Sequence, residues 1–199
     1  MPGTKKKLIV LSSPSGGGKS TVARFLLRTF PQLQFSISAT TRPKRPRETQ
    51  GREYYFMDIP EFFRKLQNNE MIESEEIFGQ YYGTLKSEID KALNQGKTLV
   101  FDVDVKGALS LKQTYPRESV LIFLKPANME ALEQRLRKRH TESEEQIQIR
   151  LKRVEMEIGK SSEFDHIILN DILAETFEQV KEIVDKYLKS NSTTTEKEK

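Results

Sequence analysis

A glycine-rich turn near the N-terminus carries the residues best suited to bind phosphate groups. It consists of Ser13, Pro14, Ser15, Gly16, Gly17, Gly18, Lys19 and Ser20. Glycines let consecutive backbone N–H groups converge on an anion, and a helix that begins where the turn ends adds the positive end of its dipole. The Lys19 ammonium can bridge the β- and γ-phosphates of ATP, and the Ser20 hydroxyl can ligate Mg²⁺. These residue types at this spacing predict an ATP-binding phosphate loop.

The segments on either side of the turn are those that a phosphate loop requires. Residues 8–11 are an unbroken apolar run, which is typical of a strand buried on both faces of a parallel sheet. Apolar residues then recur at helical spacing over residues 20–30, and Pro31 closes the segment. Because Ser13 replaces the usual first glycine of the motif, a glycine-rich turn without a ligand is the alternative. The strand, the helix and the Lys-Ser pair together favour the phosphate loop.

The buried-strand pattern returns three more times along the chain. It covers residues 98–101, 120–124 and 167–169, with helical patterns between or after these runs. A repeated strand-helix order predicts an α/β fold built on a doubly wound parallel sheet. Asp102 and Asp104 follow the run at 98–101, which places carboxylates at the carboxyl edge of the sheet. Helix capping is the commoner role of such acids, but beside a phosphate loop one of them is predicted to hold Mg²⁺, with Asp102 as the candidate ligand.

Two insertions and a polar tail account for the rest of the chain. Residues 38–96 combine short strand patterns with an arginine- and proline-rich turn, which predicts a small, partly antiparallel lobe. Residues 128–160 are helical by period and dense in both charge signs, which predicts a mobile helical flap with little apolar face to bury. Residues 190–199 contain no apolar residue and are predicted to be disordered. The predicted core then comprises residues 1–37, 97–127 and 161–189.

Composition narrows the classes of function. The 199 residues contain no cysteine, which removes disulfides, thiolate metal sites and cysteine nucleophiles and favours a reducing, cytoplasmic setting. The apolar run at residues 8–11 is far too short for a signal peptide or a membrane span. With 33 Lys and Arg against 29 Asp and Glu, the formal charge of +4 gives no reason to expect nucleic-acid binding. A monomer and a homo-oligomer are both compatible with the sequence.

A second set of polar residues, within residues 38–96, is suited to a phosphate acceptor. Ser38, Arg42 and Arg45 offer a hydroxyl and two guanidiniums, which suit charge-assisted hydrogen bonds to a monophosphate. Glu73 lies in a predicted half-buried strand, where its carboxylate could accept hydrogen bonds from N1–H and N2–H₂ of guanine. Adenine lacks this pair of donors, so such a carboxylate would select guanine. Taken singly, each of these residues also fits an ordinary role as an exposed charge.

The order of these motifs resembles the guanylate kinase family over residues 8–188. The shared series is the phosphate loop, S-x-T-T-R-x-x-R, G-R-E-Y-Y-F, I-E, F-G-x-Y-Y-G-T, D-V-D and I-L-N-D. The resemblance implies a P-loop NTPase-type parallel-sheet core with an inserted GMP-binding lobe and a helical lid. It also implies transfer of the γ-phosphoryl group from ATP to GMP, in purine nucleotide metabolism and GMP recycling. Mg²⁺ is the implied cofactor, and dGMP stays open as a further acceptor.

Carried over residue by residue, the resemblance assigns roles to this chain. The residues implied to bind GMP are Ser38, Arg42, Arg45, Tyr54, Glu73, Tyr82, Thr84 and Asp104. Among them, Glu73, Thr84 and Asp104 would read the guanine. The residues implied to act in the transfer are Lys19, Arg42 and the lid residues Arg135, Arg139 and Arg150. Asn170 matches a residue that lies beside the adenine, within the ATP-binding set formed with the phosphate loop.

Some residues depart from the family pattern, and two rival functions remain as alternatives. Lys138 and His140 flank a lid arginine where relatives often carry glycine, and Lys106 stands where glutamine is common. One rival is a scaffold module that binds peptides without catalysis, but this chain keeps the Lys-Ser pair of the phosphate loop. The other is a kinase for a different small acceptor, such as AMP or a sugar acid. The acids implied to read guanine argue against that second rival.

Overall fold

The protein has an α/β fold, which the computed structural model describes for residues 7–14, 16–77, 79–130, 132–133 and 144–192. Its strands are β1 (Leu8–Ser12), β2 (Leu33–Phe35), β3 (Ala39–Thr40), β4 (Tyr55–Phe56), β5 (Met71–Ile77), β6 (Gln80–Leu85), β7 (Thr98–Asp102), β8 (Ser119–Pro126) and β9 (His166–Asn170). Its helices are α1 (Lys19–Thr29), α2 (Ile59–Gln67), α3 (Lys86–Asn94), α4 (Val105–Thr114), α5 (Glu144–Gly159) and α6 (Leu173–Ser192). No helix in the described ranges is both long and apolar enough to cross a membrane.

The core is a five-stranded parallel sheet in the order β2-β7-β1-β8-β9. Alternate residues of β1 enter two separate clusters on the two faces of the sheet. Ile9 and Leu11 pack with α1 and α6, whereas Leu8 and Val10 pack with α3 and α4. Because helices cover both faces, the central strands read as continuous apolar runs instead of alternating patterns. The predicted doubly wound parallel sheet is confirmed.

The inserted lobe contains a second, four-stranded sheet in the order β4-β3-β6-β5. In this sheet β6 runs antiparallel to both β3 and β5, whereas β3 and β4 are parallel. The lobe also has a small apolar core of its own, formed by Ala39, Phe62, Met71 and Leu85. Helix α3 lies within residues 38–96, yet Ile89 and Ala92 pack in the same cluster as Leu8 of the core sheet. Helix α3 therefore packs against the core sheet, as does Ile72 of β5, and the boundary at residue 96 stays a prediction.

Helix α5 is the main described element of the predicted flap, and it buries more apolar surface than its composition indicates. Ile147 and Val154 are buried, and Ile158 packs against the core cluster beneath α4. These positions are seven and four residues apart, so they form one stripe along the helix. The expectation of little buried apolar face is wrong for this helix. At the other end of the core, α6 continues through Ser192, so the predicted disordered tail begins as helix.

Candidate active site

The phosphate loop lies between β1 and α1, at the carboxyl edge of the core sheet. Gly18 precedes the first residue of α1 and has a left-handed φ of 88°. A Cβ on Gly18 would lie 2.9 Å from Nδ2 of Asn170, and a Cβ on Gly17 would lie 2.9 Å from the carbonyl oxygen of Pro14. The turn therefore requires glycine at both positions. Ser15, predicted to bind ATP, lies outside the described residues.

Lys19 and Ser13 are held by hydrogen bonds within the loop. Nζ of Lys19 donates to the carbonyl oxygen of Ser13 at 2.9 Å. The buried hydroxyl of Ser13 donates to the carbonyl oxygen of Pro14 at 3.0 Å, so this serine fits the position where a glycine is usual. The Lys19 ammonium therefore stays over the loop backbone, where it can meet phosphate charge.

Asn170 lies at the end of β9 and binds the loop from behind. Its Nδ2 donates a hydrogen bond of 2.7 Å to the carbonyl oxygen of Gly17. Its Oδ1 accepts a hydrogen bond of 2.9 Å from the buried hydroxyl of Thr176 in α6. No sequence pattern indicates Thr176, because a single threonine within a helix is unremarkable until its partner is known. Together the two residues fix the position of the loop backbone.

Ser20 and Asp102 are the two oxygen ligands predicted for Mg²⁺, and the fold brings them together. Oγ of Ser20 donates a hydrogen bond of 2.5 Å to Oδ2 of Asp102 at the end of β7. Among the described residues, no group of three or more His, Cys, Asp or Glu side chains could hold a metal ion. Mg²⁺ usually takes one or two protein oxygens and completes its shell with phosphate and water. The hydroxyl and carboxylate pair therefore fits Mg²⁺ that binds together with a triphosphate.

Arg42 is fixed by Glu48, an acid not predicted from the sequence. Nη1 and Nη2 of Arg42 donate to the two carboxylate oxygens of Glu48 at 3.0 and 2.6 Å. This hydrogen bonding raises the pKa of Arg42 and lowers the pKa of Glu48. The guanidinium also lies 5.4 Å from the ring centroid of Tyr54. Arg45 differs, since its side chain is exposed and its backbone N–H donates to Glu48 at 2.8 Å. In the sequence, Glu48 is a single acid that follows a run of basic residues, and this position could have indicated that it pairs with one of them.

Ser38 and Tyr54 share a cleft with the predicted magnesium ligands. The cleft has a volume of about 470 Å³, and Ser20 and Asp102 also line it. The Tyr82 ring lies edge-on to that of Tyr54, with 5.9 Å between the ring centroids. Burial raises the pKa of Tyr54, so its hydroxyl stays protonated and able to donate to an anion. The fold thus brings three of the residues implied to bind the acceptor phosphate to one side of the phosphate loop.

Glu73 and Asp104 line an acidic pocket of about 450 Å³ between the lobe and the core. Oγ1 of Thr84 donates a hydrogen bond of 2.7 Å to Oε1 of Glu73. Asp104 caps α4, and its Oδ1 accepts a hydrogen bond of 2.8 Å from the N–H of Gly107. Burial raises the pKa of Glu73 to about 7; the hydrogen bond from Thr84 opposes this shift and the charge of Asp104 adds to it. The three residues implied to read guanine therefore lie together.

A second cleft lies next to the acidic pocket and is lined in part by the phosphate loop. It has a volume of about 430 Å³, and its lining includes Ser13, Lys19, Asp102 and Asp104 together with Glu75, Arg153 and Glu157. Asp104 lines both this cleft and the acidic pocket. A group bound at the loop and a group bound in the acidic pocket would therefore lie on neighbouring sites that share the Asp104 side chain as lining.

Helix α5, which belongs to the predicted flap at residues 128–160 and corresponds to the helical lid that the resemblance implies, contributes a residue other than those predicted. Arg135 and Arg139 lie outside the described residues, and only the backbone of Arg150 is described, within α5. Three residues further along the same helix, Arg153 forms ion pairs with carboxylates that line the acidic pocket. The clustering of arginines over residues 135–153 was the signal that could have indicated it.

A phosphate loop on a parallel sheet, facing an acidic pocket beneath an inserted lobe, defines a nucleoside-monophosphate kinase of the P-loop type. The family model described as guanylate kinase matches residues 5–187, and the chain belongs to the guanylate kinase family.

Individual relatives agree with this assignment. The chain is 43% identical over 188 residues to a guanylate kinase of Chlorobium luteolum, covering 94% of this chain and 95% of the relative. It is 46% identical over 183 residues to a guanylate kinase of Rickettsia bellii, covering 91% and 95%. The crystal structure of guanylate kinase from Anaplasma phagocytophilum superposes with a TM-score of 0.69 at 32% identity, covering 92% of this chain and 86% of that one.

Proposed function

We propose that this chain transfers the γ-phosphoryl group of ATP to GMP, giving ADP and GDP, in purine nucleotide metabolism and GMP recycling. The observation that carries the proposal is that Asp104 lines both the acidic pocket that contains Glu73 and the cleft that contains Lys19 of the phosphate loop, so the two sites are neighbours. A donor triphosphate at the loop and a purine with two N–H donors in the acidic pocket would bring two phosphates together between them. Membership of the guanylate kinase family supports GMP as the acceptor.

On the donor side, ATP phosphates would be bound by the backbone N–H groups of the loop and by Lys19. Asn170 would keep the loop in place through its bond to Gly17 and would lie near the adenine. Ser20 and Asp102 would hold Mg²⁺. An ion held there would supply positive charge that offsets part of the negative charge of the nucleotide phosphates.

On the acceptor side, one group of residues would bind the GMP phosphate and another would bind the guanine base. The GMP phosphate would be bound by Ser38, Arg42, Arg45, Tyr54 and Tyr82. The ionised Glu73 would accept two hydrogen bonds from guanine, with Thr84 and Asp104 placing further polar groups beside it. Adenine would present an acceptor nitrogen to the Glu73 carboxylate, so AMP would leave this buried charge with the Thr84 hydroxyl but without a donor from the base.

The transfer needs no covalent intermediate on the protein. A phosphate oxygen of GMP forms a bond to the γ-phosphorus of ATP as the bond to the β–γ bridging oxygen breaks, and ADP carries that electron pair away. The side chains contribute by aligning the reacting groups and by neutralising charge. We assign the lid residues Arg135, Arg139 and Arg150 to this second task. Closure of the lid would also exclude water, which is the competing acceptor.

The compartment and the ligands of the enzyme follow from its composition and its proposed reaction. We place it in the cytoplasm, where a chain without cysteine needs no oxidising compartment. Its ligands would be ATP and GMP, with no role for nucleic acid or a membrane surface. dGMP stays open as an acceptor, because none of the residues assigned above is matched to the ribose 2′-OH.

A coupled assay of ADP release, run with GMP, AMP, CMP and UMP as separate acceptors, tests the proposed reaction. We expect rapid release with GMP and slow release with the other three. Identification of GDP as the second product, in a 1:1 ratio to ADP, separates transfer from ATP hydrolysis. ADP release that is independent of GMP, or equal rates with all four acceptors, would rule the reaction out.

A further inference from the structure

Arg153 connects three parts of the molecule through three carboxylates. It lies on α5 of the lid, and its Nη2 is 2.5 Å from Oε1 of Glu75, which belongs to strand β5 of the lobe. The same Nη2 donates at 2.9 Å to Oδ2 of Asp104, at the start of α4 in the core. Its Nε donates at 3.0 Å to Oε1 of Glu157, one turn along α5. One guanidinium therefore spans lid, lobe and core.

The Asp104 carboxylate is anchored at both oxygens by this arrangement. Oδ1 accepts the N–H of Gly107, whereas Oδ2 accepts Nη2 of Arg153. An aspartate held at one oxygen can still rotate, but two anchors on different elements fix the plane of the carboxylate. Because Asp104 lines the acidic pocket beside Glu73, this plane determines where its remaining lone pairs point.

Arg153 also balances the negative charge of the pocket wall. Burial raises the pKa of Glu157, and the hydrogen bond from Arg153 opposes that shift. Burial alone would lower the pKa of Arg153, but its hydrogen bonds to Glu75 and Glu157 more than offset this, and its pKa is raised. Among the described residues, Arg153 is the cation in each ion pair formed by Glu75, Asp104 and Glu157. Removing this cation would leave neighbouring carboxylates to repel one another.

We propose that Arg153 is a positioning residue of the base pocket, which orients Asp104 from the lid so that Asp104 and Glu73 act together on the acceptor base. This inference rests on the proposed function, because it assigns a role within the GMP site. Its effect should appear in substrate binding more than in stability. The Arg153 side chain is 47% exposed, whereas those of Glu75, Asp104 and Glu157 are 29%, 22% and 11% exposed, so its loss should lower Tm to a small extent and raise the KM for GMP to a larger one.

Steady-state kinetics of Arg153→Gln, with Lys152→Gln as the matched control, test the proposal. Lys152 is exposed on the same helix, so its substitution removes the same charge away from the pocket. For Arg153→Gln we expect the KM for GMP to rise about tenfold, as for the loss of one charge-assisted hydrogen bond. The KM for ATP and kcat should stay close to wild type, and Tm should fall by only a few degrees. Arg153→Lys should recover part of the effect, because it keeps the charge but loses the guanidinium fork.

The outcomes separate this inference from the proposed function. If the wild-type enzyme does not phosphorylate GMP, the proposed function itself fails. If the wild type is active and Arg153→Gln has a normal KM for GMP, the positioning role is wrong. Parallel losses in both KM values, kcat and Tm would also overturn it, since they would indicate a structural role. Should Arg153→Gln fail to fold, Arg153→Lys decides alone: a raised KM for GMP with an unchanged KM for ATP supports the role, and two unchanged values refute it.

Discussion

Nδ2 of Asn170 donates a hydrogen bond of 2.7 Å to the carbonyl oxygen of Gly17, which ties the edge strand of the core sheet to the phosphate loop. The amide is itself oriented by the hydroxyl of Thr176, 2.9 Å from Oδ1. A buried side chain in α6 thus controls the loop through one intermediate residue. The geometry of ATP binding is expected to depend on this chain of two hydrogen bonds.

Thr176→Val should weaken ATP binding without abolishing folding. Valine keeps the shape of threonine but cannot donate to Asn170, so the amide loses the bond that orients it. We expect the KM for ATP to rise about fivefold, the cost of roughly one hydrogen bond, with little change in the KM for GMP. Thr114→Val is the matched control, since the Thr114 hydroxyl only bonds back within α4. An unchanged KM for ATP in Thr176→Val would show that Asn170 is oriented by other contacts.

Lys19→Ala should be severely impaired in turnover and still fold. Among the described residues, the hydrogen-bond partner of Lys19 Nζ is the carbonyl oxygen of Ser13, within the same loop. Loss of one preorganised electrostatic contact typically lowers kcat by about 10²-fold or more. Lys112→Ala provides the opposite control: Lys112 pairs with Asp165, so its loss should affect Tm and leave kcat near normal. Near-normal turnover of Lys19→Ala would mean that the loop is not the site of phosphoryl transfer.

Glu48→Gln should raise the KM for GMP by about threefold, because a neutral partner holds Arg42 less firmly than a carboxylate does. The KM for ATP should not change. Glu70→Gln is the control, since Glu70 pairs with Lys65 elsewhere in the lobe. A lower KM for GMP in Glu48→Gln would contradict this view and indicate that Glu48 competes with the acceptor phosphate for Arg42.

The raised pKa of Glu73 predicts a pH dependence of GMP binding. Glu73 has a pKa of about 7, and only its ionised form accepts both hydrogen bonds from guanine. Guanine donors favour the charged form, so binding lowers this pKa and releases a proton whenever the free enzyme is protonated. The KM for GMP should therefore fall as the pH rises through about 7 and level off above it.

Comparison with Glu73→Gln isolates the contribution of this group. The GMP phosphate itself titrates near pH 6, and that ionisation affects both proteins alike. The inflection near pH 7 should be present in the wild type and absent from the variant. The same inflection in both proteins would assign it to a group other than Glu73.

Much of the fold could be predicted because its signals are local. An apolar run such as residues 8–11 indicates a strand covered on both faces, whatever the rest of the chain does. The phosphate loop is likewise contiguous, so its strand, glycines and helix can be read together. The position of α3 could not be read in this way. Its apolar spacing predicts a buried face but not which sheet that face covers.

The unpredicted site residues depend on partners that are distant in sequence. Arg153 matters because Asp104, 49 positions away, lies against it in the folded chain. Thr176 acquires a role only through Asn170, and Glu48 only through Arg42. Residue type and spacing do not predict pairs between residues so far apart in sequence. The family resemblance identifies the residues implied to bind substrate, but not the partners that orient them. Residues that orient those groups are therefore found from the structure.

Selection of guanine by Glu73 is tested by comparing kcat/KM for GMP and AMP in the wild type and in Glu73→Gln. A site built to pair buried polar groups with its substrate can reject an analogue that lacks them by a factor of about 10⁴. We predict a strong preference for GMP in the wild type. We further predict that Glu73→Gln loses most of this preference through a higher KM for GMP, with a nearly unchanged KM for ATP. If Glu73→Gln keeps the wild-type preference, guanine is read by other groups and this account of the acceptor site is wrong.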